Sequence, residues 1–424
     1  MSFTTKVQAA ESTYSKSGDK VEKTEKKNFI INIIANTFLG IAQIFATGQI
    51  MQGYLAYAGF SGGKISSYVS VSNIVQVICM AMLFFFADKI KNMKRTMQIC
   101  YYIMSLFFVP LILMQFVNID LRLMFVFLLL TTTVFNASYA VKAILDYRLP
   151  YSIIDMKNFG KMSSLGSIVA QIVVITIGFS FTLFVSVFSY DNVILVCFIS
   201  GILSLFVAAF LTGRFTIINT VFKKDEKPKL SEVFREKSVF HLAPMHFLRG
   251  IVNGCFAMAT VMFVANISRD VRLTAPLSVI LAVGTVLSGT LYLVFIKKIR
   301  STIYTIIGGI VTGSALIIMA TTHNAWVFYP VYFIGAVGMY FIDNSIPIFI
   351  AEFVSGKIIG GYTTIRMLIT TAGMATGNML AGVFSENNVL QEGMTTVGAV
   401  AILMGFVFYI YDNRVIRKRG NQNG

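Results

Sequence analysis

The sequence predicts an all-α membrane protein: twelve transmembrane helices in two pseudo-symmetric six-helix bundles. Three observations carry that expectation. Apolar residues make up 56% of the 424 positions and charged residues only 13%, which is far from the balance of a soluble domain. The apolar residues fall into runs of about 20, the length that crosses a bilayer core as a helix. Two short patterns also recur in the same order at nearly the same long spacing, as expected of a duplicated unit. One is acid, three residues, proline, four residues, acid, and it places Asp146, Pro150 and Asp155 in register with Asp343, Pro347 and Glu352. A Gly-Lys pair follows each copy, at Gly160-Lys161 and Gly356-Lys357. The other joins the segment around Asp88, Lys89 and Lys91 to the segment around Lys297, Lys298 and Arg300.

Residues 1–27 are polar, of mixed charge and without the apolar core of a signal peptide, so they read as a disordered cytosolic tail. Residues 28–213 form the first bundle, with spans expected near 29–55, 65–86, 97–117, 123–145, 163–187 and 192–213. The stretch 214–240 is the longest polar connection after the tail and reads as a cytosolic linker. Residues 241–412 supply six more spans, near 241–266, 275–296, 302–320, 326–349, 361–385 and 395–411, and 413–424 is a second cytosolic tail. No run of alternating ten-residue segments suggests a transmembrane β-barrel.

The formal net charge of +16 is explained by topology rather than by nucleic acid. Lysines and arginines crowd the tails and alternate loops, whereas the other set of loops holds only Lys64, Arg122, Arg269 and Arg272. This bias places both termini in the cytoplasm of a multi-pass protein of the cell membrane. Weak attraction to anionic lipid accompanies it, and no nucleic-acid partner is expected. Cys79, Cys100, Cys197 and Cys255 are isolated in apolar runs, as packing residues are. His241, His246 and His323 lack metalloprotease spacing, and no glycine loop leads to a lysine at nucleotide-binding spacing. The chain is therefore not expected to be an enzyme or to carry a cofactor or a metal.

Six spans, a charged linker and six more spans resemble the major facilitator superfamily, over almost the whole chain. The superfamily's loop between spans two and three is matched here by Asp88 and Lys89, with Lys94 and Arg95 as displaced basic residues and Phe84 where the first glycine would stand. The resemblance implies that Asp88, Lys89, Lys94 and Arg95 form a gating loop that latches to span eleven. The segment "LPYSIID" after span four, with "MSSLGSIVAQ" beyond Gly160-Lys161, is similar to glycoside-pentoside-hexuronide cation symporters. So is "IAEFVSGKIIGGYTTIRMLITTAGMATGNMLAG". Sodium-coupled members carry acids in span two, where this chain has only Asn73 and Gln76, and an acid two residues before the span-four proline, where it has Arg148. That departure favours a proton over sodium as the coupling ion.

Charges deep in a span cost about 2.5–3.5 kcal/mol on insertion scales and usually face a cavity or a partner. Lys142 on span four, Arg249 on span seven, Asp343 on span ten and Arg366 on span eleven are such charges, and Asp146 stands one turn from Lys142. Mutual neutralisation of Lys142 and Asp146, and snorkelling of the two arginines, are the competing explanations. Asp343 is too short to snorkel far. It reads as the coupling carboxylate or the partner of a cavity cation, with Lys142 or Arg366 as that cation. Gln43, Asn73, Gln76, Asn136, Tyr139, Gln171, Asn253 and Asn378 are uncharged polar residues at similar depth. Singly, each is more often a helix-to-helix hydrogen bond than a ligand; as a set they suit a polyhydroxyl solute. The expectation is a monomeric secondary transporter that carries a small polar solute, a sugar or glycoside, together with a proton. An exporter of amphipathic or lipid-like compounds is the alternative that 38 Phe and 21 Met favour. A non-transporting receptor or scaffold is the alternative of another class.

Overall fold

A computed structural model describes residues 3–86, 90, 92–117, 119–146, 149, 153, 156–217, 237–268, 270–295, 301–353 and 359–420. Eleven helices among these are long and apolar enough to cross a membrane, and a twelfth span is formed by a bent pair. A helix is the economical solution because hydrocarbon offers no partner for backbone N–H and C=O groups. Span one is made of Phe3–Ala46 and Gln49–Tyr57, interrupted at Thr47-Gly48. Its helix thus begins inside the segment read from sequence as a disordered tail. Gly59, at φ +89°, makes the tight turn into span two, Gly62–Phe86. Span three is Met93–Ser105 with Phe108–Met114, where Pro110 lacks the N–H that would bond back across the break. Spans four, five and six are Leu121–Asp146, Met156–Val187 and Tyr190–Gly213.

Span seven is Lys237–Ala257 followed by Ala259–Asn266, bent by 46° at Met258. A 3₁₀ turn at Val271–Thr274 leads into span eight, Pro276–Phe295, with proline at the first helical position, where its missing N–H costs nothing. Spans nine to twelve are Ser301–Thr321, Ala325–Phe353, Ile359–Glu386 and Leu390–Gly420. The helix of span ten continues past Pro347, so that proline does not end it. Gly160-Lys161 lies at the start of span five, but Pro150, Asp155, Gly356 and Lys357 lie outside the described residues, as does 218–236 of the expected linker.

Two kinds of contact hold the halves together. Span two packs on span eleven, and span five on span eight. At the end remote from the chain termini the seam is knitted by hydrogen bonds. Gln49 and Gln52 of span one both donate to the Ala257 carbonyl, at 3.0 and 3.2 Å. The Thr260 hydroxyl donates to Gln49 Oε1, and the Ser66 hydroxyl to the Asn378 carbonyl. The Ala257 carbonyl sits at the last residue before the bend, where a helix leaves acceptors without an internal donor. Span one of the opposite half supplies the donors.

Candidate functional site

A group of polar and charged side chains lies within the spans of the C-terminal half, where span seven packs on span eleven and reaches span ten through a side-chain contact. Close helix approach creates it. Gly250 and Gly254 on span seven meet Gly373 and Gly377 on span eleven so tightly that a Cβ on any of the four would strike the opposing backbone. Four-residue spacing puts each pair on one helix face. On span seven, His246 and Arg249 are one turn apart, and so are Tyr362 and Arg366 on span eleven. Both pairs are thereby brought to one junction.

Arg249 binds Asp343 of span ten. Its Nε donates to Oδ1 at 2.8 Å, and its Nη2 makes an ion pair with the same oxygen. The pair is neither surface nor sealed core, since the side chains are 10% and 26% exposed. Among the described contacts Asp343 is paired with Arg249, on span seven of the same half, whereas the sequence pointed to Lys142 or Arg366. His246, 2% exposed, lies 2.8 Å from the Tyr362 hydroxyl through Nε2, and both Arg249 and Arg366 act on it electrostatically. Arg366 is partly buried on span eleven. His246 and Tyr362 were missed at the sequence level. Their only signal is the one-turn spacing from a buried arginine.

In the N-terminal half the arrangement differs. Lys142 is 2% exposed, donates to Asn36 Oδ1 of span one at 2.8 Å and stands 5.9 Å over the Tyr101 ring. Asn36 in turn donates to Asn32 at 3.3 Å, so an Asn-x-x-x-Asn pair on span one was the overlooked signal. Asp146 closes the helix of span four, and its side chain lies outside the description.

The polar residues expected to line a solute cavity divide into two sets. Gln76 donates to Asn136 Oδ1 at 2.8 Å, and Asn136 donates to the Thr132 hydroxyl at 3.0 Å. The Thr132 hydroxyl also lies 3.0 Å from that of Ser72. This ladder ties span two to span four, so Gln76 and Asn136 serve as helix-to-helix bonds. Tyr139 packs against the apolar core. Asn378 is fully buried, and neither polar atom of its side chain has a hydrogen-bond partner among the described residues; Asn73 Nδ2 is in the same position. Asn253 is 8% exposed, and Gln43 and Gln171 are half-buried. A buried amide without a partner costs about 1–3 kcal/mol. Asn73 and Asn378 are thus the residues of this set with most to gain from a bound solute or water.

Of the expected gating loop, Asp88 and Lys89 lie outside the described residues. Lys94 donates to the Phe215 carbonyl at 3.0 Å, and the backbone N–H of Arg95 to the Asn92 side chain at 3.1 Å. The first reaches the start of the expected linker, the second stays within the loop before span three, and neither touches span eleven. A separate, largely apolar groove of about 540 Å³ lies between spans one, five and six, away from all these charges.

No protein-family model matches the chain, and neither does any curated protein sequence. Solved structures do match. A point mutant of the nucleoside transporter NupG superposes with a TM-score of 0.69 at 14% identity, covering 90% of this chain and 99% of that one. NupG without the mutation gives 0.66 at 14% identity, with coverage of 91% and 98%. A bacterial homologue of the human lysosomal transporter Spinster, in an inward-facing and unoccupied conformation, gives 0.67 at 15%, with coverage of 94% and 98%. The chain therefore shares the fold of these transporters over at least nine-tenths of its length, and the likeness does not single out the glycoside-pentoside-hexuronide branch.

Proposed function

We propose that the protein is a secondary active transporter that carries a small polar solute across the cell membrane by alternating access, coupled to protons, with Asp343 as the coupling carboxylate. The observation that carries this reading is the Arg249–Asp343 pair, held within the bundle yet partly open. A carboxylate's affinity for protons is lowered by a neighbouring cation and raised by burial. Both residues belong to the C-terminal half, so rocking of the two halves does not itself part them; a shift of span seven against span ten within that half is the movement that exchanges the arginine for a proton on the carboxylate. The two seams, spans two with eleven and five with eight, are the surfaces that such rocking would open and close.

Sugars and glycosides are the proposed solutes, because unpartnered amides such as Asn73 and Asn378 offer hydrogen bonds without net charge. The fold likeness to a nucleoside transporter supports this class, a nucleoside being itself a glycoside. The test is uptake into liposomes under an imposed pH gradient, with a panel of sugars, glycosides and nucleosides. Asp343→Asn should abolish proton-driven accumulation and spare solute exchange. Loss of exchange as well would make Asp343 a binding or gate residue, and wild-type levels of both would remove it from the mechanism. Failure of every solute to move would overturn the transporter reading. An exporter of amphipathic compounds remains the competing reading, favoured by the abundance of Phe and Met; gradient-driven efflux of a lipophilic dye with no sugar or nucleoside uptake would establish it.

A further inference from the structure

We infer that the groove between spans one, five and six is a lipid-binding site, which holds one acyl chain of a bilayer phospholipid from the leaflet remote from the chain termini. The sequence builds the groove by keeping one face of span six small. Cys197, Ser200 and Ser204 recur at helical spacing and turn toward span five, and Ser180 and Phe181 form the facing wall. Consecutive spans that would otherwise pack are held apart there, with Ile41 and Phe45 of span one at the floor.

Three features identify the occupant. First, the groove opens outward. Its rim residues Phe184, Phe188 and Val196 are 51%, 56% and 60% exposed, and in a chain of this architecture that surface meets hydrocarbon rather than water. Second, its length fits one leaflet. Asn192 to Ser204 spans twelve residues of helix, about 18 Å at 1.5 Å per residue, against about 15 Å for half of a 30 Å hydrocarbon core. Third, its two ends differ in polarity. The end near the span termini holds exposed Asn192 next to Asp191, which accepts a hydrogen bond from Tyr57 at 3.1 Å, whereas the deep end is apolar apart from small hydroxyls. A glycerol ester beside Asn192 with its chain running inward satisfies both ends.

The site lies beside the seam between spans five and eight. Gly178, two residues before Ser180, approaches Ser278 and Val279 of span eight so closely that a Cβ there would come within 2.8 and 2.7 Å. A chain in the groove would back span five against that contact.

The test uses the full-length protein in phosphatidylcholine liposomes containing a trace of phosphatidylcholine with a diazirine-bearing acyl chain, photolysed and mapped by peptide mass spectrometry. Adducts should be several-fold enriched on Phe181, Ser200 and Ser204 over Leu203 and Phe206, which are exposed on the same surface at 60% and 49%. Ser200→Phe, which fills the groove, should abolish the enrichment, and Leu203→Phe should leave it intact. Ser204→Leu serves in place of Ser200→Phe if the latter is not monodisperse in detergent. Even labelling of groove and control positions, or enrichment that survives the filling variants, would overturn the proposal. Displacement of the adducts by a free lysolipid that leaves bulk phospholipid in place would also overturn it, by assigning the groove to a soluble amphiphile.

Discussion

The two halves repeat one pattern of spans but are packed in part by different means. The N-terminal half is filled by side chains: Phe107, Phe108, Phe135, Phe198 and Tyr54 form a run of ring contacts 5.0–6.5 Å apart, and the Phe108 ring occupies the space where Gly201 lacks a Cβ. The C-terminal half has ring contacts of its own, such as Phe256 with Tyr332 and Phe263 with Phe328, and adds close approach of backbone to backbone. Gly250 and Gly254 meet Gly373 and Gly377, Gly313 meets Gly398, and Gly308 meets the carbonyl of Gly338. In lipid, where apolar helices gain little by hiding from one another, both close backbone approach and ring packing are ways to hold a bundle together. Close approach has a further consequence. It carries side chains on the flanks of spans seven and eleven into one junction, where the described ion pair, the His246–Tyr362 contact and Arg366 are found. The N-terminal half holds its buried cation, Lys142, with an amide, Asn36.

That contrast can be broken at either half. The largest effect expected is from Phe108→Ala, which should open a cavity among the rings and cost about 3–5 kcal/mol, read as a fall in melting temperature in detergent or nanodiscs. Next, Arg249→Ala strips a partly buried carboxylate of its partner. A fully buried pair would lose about 3–5 kcal/mol, and the 26% exposure of Asp343 reduces the expectation to about 2–3 kcal/mol. Arg249→Met combined with Asp343→Leu should recover most of that stability while transport is lost; no recovery would mean that the arginine stabilises through other contacts.

Glycines sharpen the comparison further. Gly377→Ala should cost about 1–3 kcal/mol by forcing span eleven off span seven, because its Cβ would meet the Ile251 carbonyl carbon at 2.9 Å. Gly40→Ala on span one, with nothing within 4 Å, should be neutral or stabilising by up to about 1 kcal/mol. Equal costs at the two sites would remove the distinction between the halves. The smallest effect is expected at the seam. Gln49→Ala should remove about 1 kcal/mol of inter-half hydrogen bonding and shift the conformational equilibrium toward opening at the end remote from the termini. Distance distributions between spin labels across that end would report the shift, and an unchanged distribution would show that Gln52 alone suffices.

Span two illustrates how far the sequence could be read. The absence of acids and the presence of Asn73 and Gln76 were plain, and both lie where the helix was expected. Their fates differ, however: Gln76 is bonded to Asn136, while Asn73 Nδ2 is left without a partner among the described residues. Nothing in the string separates a polar residue that turns toward a neighbouring helix from one that does not. The acid-proline template likewise aligned Asp146 with Asp343, yet among the described contacts the acid seen paired with an arginine is Asp343. His246 has no metal-binding spacing in the sequence, and its hydroxyl partner lies 116 positions away.

By itself, the sequence determined that the chain is an all-α membrane protein of long apolar helices and where most of its spans begin and end. These follow from a local rule, because each helix satisfies its own backbone. Only the tertiary structure decided which spans touch and therefore which deep polar groups meet. A span that is apolar on every face carries almost no record of how it is rotated. That rotation is set by glycine contacts and ring packing between residues far apart in the chain, and it is what brings Arg249 to Asp343 and leaves a lipid-sized groove beside Ser200.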